Sequence, residues 1–157
     1  MGTNHMGRQS IRFPQPPVVR GFASVAGKKE REGPLGDQFT ATVQDTTFGE
    51  KSWERAERRM QQMTLELALE KAGLTDADLD AAFAGDLLNQ CIGSSFSLRN
   101  RGVPTLGLYG ACSTMAESLL LAAMSVSGGF ARTALAMTSS HFASSERKYR
   151  FPLGYGG

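Results

Sequence analysis

The sequence predicts an α/β fold in which a parallel β-sheet is covered by helices on both faces. Short apolar segments alternate along the chain with longer segments of helical periodicity, in the order strand, helix, strand, helix, strand. The apolar segments are continuous rather than alternating in polarity, which is typical of strands buried on both sides of a parallel sheet. The chain has 157 residues, 41% of them hydrophobic, and is therefore long enough for one domain with a substantial core.

The first part of the chain predicts one strand and one long helix. An apolar run at residues 18–26 predicts a strand closed by Gly27. A loop with Gly-Pro and Gly-Asp turn signals follows. Ser52 is a good N-cap, and apolar residues then recur at spacings of three and four as far as Gly73, a glycine suited to the C′ position. We therefore expect a helix between Ser52 and Gly73.

The second part of the chain carries the repeating pattern. Thr114 and Glu117 have the spacing of a capping box, so Ser113 or Thr114 is expected to cap a helix. The residues after His141 show no such periodicity and predict a loop. The predicted elements are strands at 81–85, 103–111 and 132–140, and helices at 89–102 and from 113 or 114 to about Ser127.

Polar segments follow all three of these strands. They are GDLLNQ at 85–90, GACST at 110–114 and TSSH at 138–141. Ligands of open parallel sheets bind at the carboxyl ends of the strands, and those ends lie at one edge. The sequence therefore predicts a binding site at that edge.

Cys112 stands between the second strand and the helix after it. The positive end of a helix dipole favours a reactive thiolate, and the neighbouring backbone N–H groups can hold an oxyanion or a carboxylate. A small hydrophobe packed in a core is the alternative interpretation of a cysteine in this short context. The residues alone leave both open.

The other polar residues at this edge also have two interpretations each. Asp86 is either a cap for the following helix or a ligand contact, and Asn89 either completes a turn or reaches into the cleft. His141 suits a general base, a cation for an anionic ligand, or a buried residue with satisfied hydrogen bonds. The basic and aromatic stretch at 147–151 suits an anionic aromatic ligand or a subunit contact.

Composition argues against several classes of function. The net charge of +2 is too small to predict nucleic-acid binding, and the basic residues are scattered. The two cysteines and the lack of a secretory signal argue against a disulfide framework, and the spacing of Cys, His and acidic residues predicts no metal site. No apolar run approaches the roughly 18 residues of a membrane span. Residues 1–7, MGTNHMG, are typical of an expression-tag remnant and are left out of the fold prediction.

Several motifs stand in series along the chain from about residue 18 to residue 157. They are GKKEREGPLGDQF, KSWERAERRM, AGDLLNQ, YGACSTMAES, GGFART, TSSH and the closing ER-YRFP-YGG. Together they resemble the stage V sporulation protein AD family of spore-forming bacteria, which is similar to the thiolase superfamily and to condensing enzymes such as β-ketoacyl-ACP synthase III. The resemblance implies a thiolase-like layered sheet built from a duplicated βαβαβ unit about twice this length, of which residues 8–157 would be the N-terminal half.

The resemblance also implies a ligand and partners. Members of the family are expected to bind pyridine-2,6-dicarboxylic acid (dipicolinic acid), free or as its calcium chelate, during its movement into or out of the spore. They are expected to work with the membrane proteins of the stage V sporulation A operon. We therefore expect a peripheral protein of the inner spore (forespore) membrane, a homodimer, and no resident cofactor or metal.

The resemblance places Cys112 at the position of the condensing-enzyme nucleophile. Those enzymes take their partner histidines from the second half of the fold, and His141 does not correspond to them. This implies a non-catalytic protein whose ligand lies above Cys112 and Ser113, with Asp86, Asn89 and His141 nearby. The alternatives are a thiolase-like acyltransferase or condensing enzyme that uses Cys112, and an interaction protein without a ligand.

Overall fold

The structure, a computed structural model, describes residues 4–88 and 91–149, with side chains described as far as residue 146. The strands are β1 (His5–Met6), β2 (Ser10–Ile11), β3 (Val25–Gly27), β4 (Ala41–Val43), β5 (Ala81–Gly85), β6 (Thr105–Leu108) and β7 (Ala134–Thr138). The helices are α1 (Lys28–Arg31), α2 (Trp53–Ala72), α3 (Ile92–Leu98), α4 (Thr114–Ser127) and α5 (Phe142–Tyr149).

The central sheet has three parallel strands in the order β6-β5-β7. The chain runs from β5 through α3 to β6, and then through α4 back past β5 to β7. Since such crossovers are right-handed, two crossovers in opposite directions place α3 and α4 on opposite faces of the sheet. α2 packs against α3 and so covers the same face. The predicted α/β fold with a parallel sheet is confirmed.

Two smaller sheets precede the central one. β3 and β4 pair in parallel, and β1 and β2 form an antiparallel pair. The core lies between the central sheet and the layer of α2 and α3. Its buried members are Leu65, Leu79, Ala82, Ala84, Leu98, Val103 and Met137.

The long helix α2 has the predicted ends. The Oγ of Ser52 accepts a hydrogen bond of 3.3 Å from the N–H of Arg55, and Gly73 has φ 65° and ends the helix in the left-handed conformation. The buried face differs from the prediction, because it contains Glu57 and Gln61 as well as apolar residues.

The strand predicted at residues 18–26 is wrong over most of its length. Only Val25–Gly27 pairs, because β4 offers it just three partner residues. Val18 and Val19 are 78% and 76% exposed. The intervening chain instead lies against the end of α2, where a Cβ on Gly21 would come within 2.7 Å of the carbonyl oxygen of Ala68.

The loop predicted after His141 is also wrong, because residues 142–149 form α5. Ala143, Glu146, Arg147 and Lys148 are good helix formers, and the N–H of Ser145 donates to the carbonyl of His141 at 3.0 Å.

Gly85 sets the packing of α4 against the sheet. A Cβ at this position would overlap the carbonyl oxygen of Leu108 and lie 2.5 Å from Cγ2 of Thr114, which is itself buried. The end of β5 and the first turn of α4 can therefore approach this closely only because residue 85 lacks a side chain.

We predict that Gly85→Ala lowers the free energy of unfolding by about 1–3 kcal/mol, because backbone or Thr114 must move to admit the methyl group. Chemical denaturation measures the change. Gly107→Ala is the matched control on β6, since its Cβ would meet Cys91 at ordinary contact distances, with Sγ at 3.7 Å and Cβ at 3.8 Å. Equal effects of the two substitutions would contradict the prediction.

Candidate functional site

The carboxyl ends of the three central strands meet at one edge, as predicted. In the register of the sheet, Gly85 lies opposite Leu108 on one side and Thr138 on the other. The polar segments that begin at residues 85, 110 and 138 therefore start from neighbouring points. This edge is the candidate functional site.

Asp86 is fully buried at this edge and holds the start of α3. Its Oδ1 accepts from the N–H of Leu88 at 2.9 Å, and its Oδ2 accepts from the N–H and Oγ of Ser94 at 2.7 and 2.6 Å. A Cβ on Gly93 would lie 3.2 Å from Cγ of Asp86, so that glycine lets α3 approach the carboxylate. These contacts fit the interpretation as a helix cap. Asn89, the neighbouring predicted ligand residue, lies outside the described residues.

The two cysteines have opposite environments. Cys91 is buried in a left-handed conformation with φ 54°, and its Sγ lies 3.2 Å from the carbonyl oxygen of Leu108. Burial raises the pKa of its thiol, and the nearby charge of Asp86 raises it further. Cys112 is exposed. In this structure Cys112 does not fill a core position, and it is the thiol that a reagent or ligand can reach.

Cys112 lies in a single 3₁₀ turn, Ala111–Ser113, directly before α4. Ala111 has φ 50°, a conformation that is strained for a residue with a side chain. The turn therefore presents the thiol at the tip of α4 rather than along its flank.

The predicted capping box at this tip does not form. Ser113 is the N-cap, but its Oγ accepts no backbone N–H; its one proton faces two acceptors, the carboxylate of Glu117 and the carbonyl of Gly110. Thr114 turns inward, and its Oγ1 accepts from the N–H of Gly110 at 3.2 Å. The carboxylate of Glu117 consequently lies beside Gly110 and gives the tip a negative group.

His141 follows β7 and is buried against the loop before α2. Its Nε2 lies 2.7 Å from the carbonyl oxygen of Thr46, and its ring centroid lies 5.4 Å from that of Trp53. The carbonyl can only accept, so Nε2 carries the proton. Nδ1 is buried and has no hydrogen-bond partner among the described residues.

A second group of buried polar residues lies on α2 and was not predicted from the sequence. Glu57 and Gln61 are 0% and 1% exposed. Glu57 accepts from Oγ of Ser139 at 2.7 Å and from Oγ of Ser144 at 2.6 Å, and these two serines flank His141. The i, i+4 spacing of Glu57 and Gln61 beside Ala56 was the available signal, because it puts both polar residues next to the predicted apolar stripe.

Gln61 connects this group to Asp86. Its Nε2 donates to Oγ of Ser139 at 2.6 Å and to Oγ of Ser94 at 3.2 Å, and Ser94 in turn donates to Asp86. We call this set the buried polar network; its members are Glu57, Gln61, Asp86, Ser94, Ser97, Ser139, Ser144 and the backbone carbonyl of His141. It links the predicted residue Asp86 to the backbone of His141 through the intervening side chains of the network.

Cys112 and Ser113 stand apart from the buried polar network. Within the part of the chain that the structure describes, no hydrogen bond joins either residue to a member of that network. The candidate site thus has an exposed helix tip and a buried hydrogen-bonded group at the same sheet edge. The basic and aromatic residues predicted at 147–151 have no described side chains.

A cavity of about 320 Å³ lies between α3 and β6 and is lined by residues such as Leu98, Val103 and Gly107. Ser94 of the buried polar network also lines it. Among residues 4–88 and 91–149, no group of three His, Cys, Asp or Glu side chains is placed to hold a metal ion. None of the helices in those ranges is long and apolar enough to cross a membrane.

Burial raises the pKa of Glu57 above its ordinary value, although the hydroxyls of Ser144 and Ser139 partly offset this. The charge of Asp86 raises the pKa further, and a positive charge on His141 lowers it. The folded state therefore binds the Glu57 proton more tightly than the unfolded state does, and ionisation of Glu57 costs folding free energy.

We predict that wild type loses stability relative to Glu57→Gln as the pH rises above about 4.3, the ordinary glutamate pKa. The measurement is the free energy of unfolding of both proteins between about pH 4 and pH 7. Other carboxyls, including Asp78 and Asp80 whose pKa values are lowered by backbone hydrogen bonds, cancel in the difference because both proteins contain them. A difference that stays constant or moves the other way would contradict the prediction.

The sequence matches the model of the family described as stage V sporulation protein AD over residues 7–157. It is 44% identical over 151 residues to the stage V sporulation protein AD of Bacillus subtilis (strain 168), an alignment that covers 96% of this chain and 45% of that relative. The chain thus spans less than half the length of this curated relative. It belongs to the stage V sporulation protein AD family of sporulation proteins.

Proposed function

We propose that the protein binds dipicolinate at the carboxyl edge of the central sheet and takes part in its movement into or out of the spore. One observation carries the proposal: the tip of α4, with Cys112 and Ser113, is exposed at the sheet edge where the three central strands end, and such edges bind ligands. The role in sporulation follows from the family, and the ligand is what the proposal adds.

The tip of α4 suits a carboxylate. α4 has 14 residues, and the N-terminus of a helix carries a partial positive charge that attracts anions. The N–H groups of Ser113 and Thr114 already donate to the carbonyls of Gly110 and Ala111, so the attraction comes mainly from the helix dipole. The exposed hydroxyl of Ser113 adds a donor that can exchange its bond to Glu117 for one to the ligand. In this proposal the thiol of Cys112 contacts the ligand but undergoes no chemistry.

Two other residues have different roles at the proposed site. Asp86 has both carboxylate oxygens engaged by Leu88 and Ser94, so its main effect is to fix the start of α3; a direct contact with the ligand stays a prediction. His141 has its Nδ1 without a partner in the described chain, and that atom is available to a ligand group that reaches it. The contribution of Asn89 also stays a prediction.

The charge at the tip favours the calcium chelate over the free ligand. Dipicolinate is a dianion near neutral pH, and the carboxylate of Glu117 beside Gly110 repels it. Calcium neutralises the ligand and prefers carboxylate oxygens as ligands. In the proposal, calcium therefore binds together with dipicolinate, close to the carboxylate of Glu117.

We predict that dipicolinate binds the intact protein with measurable heat in a calorimetric titration, and that Cys112→Ala weakens binding by less than about threefold, or roughly 0.7 kcal/mol. The positive end of the α4 dipole and the hydroxyl of Ser113 hold the carboxylate in this account, and the exposed side chain of Cys112 adds little. Abolished binding in a variant that keeps its circular dichroism spectrum would contradict this mechanism. No binding by wild type would contradict the proposed function itself.

We predict that Glu117→Gln tightens the binding of free dipicolinate by roughly threefold to tenfold, because one nearby negative charge is removed. Affinity for the calcium chelate should stay the same or fall. The exposed Glu70→Gln on α2 is the matched control, since it makes the same change in charge away from the tip. Equal changes in the affinity for free dipicolinate in the two variants would contradict the assignment of Glu117.

An acyltransferase or condensing enzyme is the second candidate. It is favoured by the exposed Cys112 that follows Ala111, whose φ is 50°. The two candidates differ in covalent chemistry. Incubation with acyl-CoA should then give a thioester in the intact mass spectrum that is lost in Cys112→Ala and kept in Cys91→Ala. Wild type without an adduct across several acyl lengths removes this candidate.

The proposal includes partners. We place the protein at the inner spore membrane as a peripheral component, together with the membrane proteins of the stage V sporulation A operon. A homodimer is proposed through β6, because it is an edge strand whose open side and exposed residues Leu106 and Tyr109 can join a second copy.

The outer face of α4 is proposed to pack against the part of the protein that corresponds to the rest of the longer relative. It exposes Met115, Leu119, Leu120 and Met124.

A further inference from the structure

Gln61 occupies the one position in the buried polar network from which both arms of that network can be reached. One arm runs from Gln61 through Ser94 to Asp86. The other runs through Ser139 to Glu57. Residues 61, 94 and 139 are far apart in the sequence, so this amide joins α2, α3 and the end of β7.

The second arm continues to His141. The Oγ of Ser144 lies 2.6 Å from Oε2 of Glu57 and 3.0 Å from the carbonyl oxygen of His141. Ser139 precedes His141 by two residues and Ser144 follows it by three. Glu57 therefore holds the chain on both sides of His141.

The carboxylates determine the direction of every hydrogen bond in the network. The carboxylates of Asp86 and Glu57 accept from the hydroxyls of Ser94 and Ser139 at 2.6 and 2.7 Å. Each hydroxyl oxygen can still accept a hydrogen bond, and the two N–H groups of the Gln61 amide donate to both.

The orientation of the Gln61 amide is fixed by the same reasoning. Its nitrogen faces Ser94 and Ser139, and its Oε1 faces Ser97, whose Oγ lies 2.7 Å away. A reversed amide would put an acceptor against two oxygens that have no proton to give. Only one orientation of the buried amide satisfies all of these hydrogen bonds. A movement of one arm therefore disturbs the other arm through the side chain of Gln61.

We propose that Gln61 is a positioning residue that couples Asp86 to the segment of His141, so that the two sides of the sheet edge respond together when a ligand binds. The inference rests on the proposed function, since the ligand is dipicolinate at that edge. Gln61 itself is 1% exposed and touches no ligand. Its effect passes through Ser94 on one arm and Ser139 on the other.

The test is a double-mutant cycle on dipicolinate binding by the intact protein. Ser94→Ala cuts the first arm, Ser139→Ala cuts the second, and the cycle is repeated in the Gln61→Met background. With Gln61 present, the loss of affinity in the double variant should differ by at least about threefold from the product of the losses in the two single variants. In the Gln61→Met background the two losses should multiply without this deviation.

Ser97→Ala is the matched control, because it removes a hydrogen bond of Gln61 without cutting either arm. The deviation should persist in that background. Gln61→Asn replaces Gln61→Met if the latter fails to fold, since it keeps the amide but is one methylene too short to reach both serines. Multiplicative losses with Gln61 present, or the same deviation without it, would overturn the proposal.

The cycle is also measured on the free energy of unfolding in denaturant. If wild type binds no dipicolinate, the proposed function fails, and the unfolding cycle alone decides whether Gln61 couples the two arms. The same deviation is then expected with Gln61 and not without it. The two failures are therefore distinguishable.

Discussion

Two buried carboxylates without a salt-bridge partner determine how the sheet edge is built. Neither Asp86 nor Glu57 takes part in an ion pair within the described chain, although both are fully buried. A buried charge is tolerated only when hydrogen bonds replace its hydration. The required donors come from serines and backbone N–H groups on α3, the end of β7 and α5. The hydrogen bonds to the two carboxylates therefore hold α3, the end of β7 and α5 in place.

Close packing at Gly85 shapes the opposite face of the sheet at the same edge. Gly85 lets Thr114 pack directly against the end of β5, so the first turn of α4 contacts the residue that precedes Asp86. The members of the buried polar network are hydrogen-bonded to one another, whereas the tip of α4 is exposed and carries Cys112. An exposed helix N-terminus suits an anionic ligand.

The sequence was informative where the pattern was local. Ser52 and Gly73 mark the ends of α2, and the continuous apolar runs identify β5, β6 and β7. The run at residues 18–26 misled, because the pairing of a strand depends on a partner that hydropathy does not show. Glu57 and Gln61 were missed for a similar reason. Their burial depends on serines 33 to 87 residues away in the sequence, and no local pattern specifies such contacts.

The central claim is that a carboxylate of the ligand meets the N-terminus of α4 while the sulfur stays unmodified. A crystal structure of the intact protein with dipicolinate tests it most directly. The account predicts electron density for the planar diacid beside Cys112 and Ser113 at the N-terminus of α4, above the sheet edge, with a free thiol at Cys112. Density for the ligand far from that helix end, or an acyl group bonded to the sulfur, would contradict it.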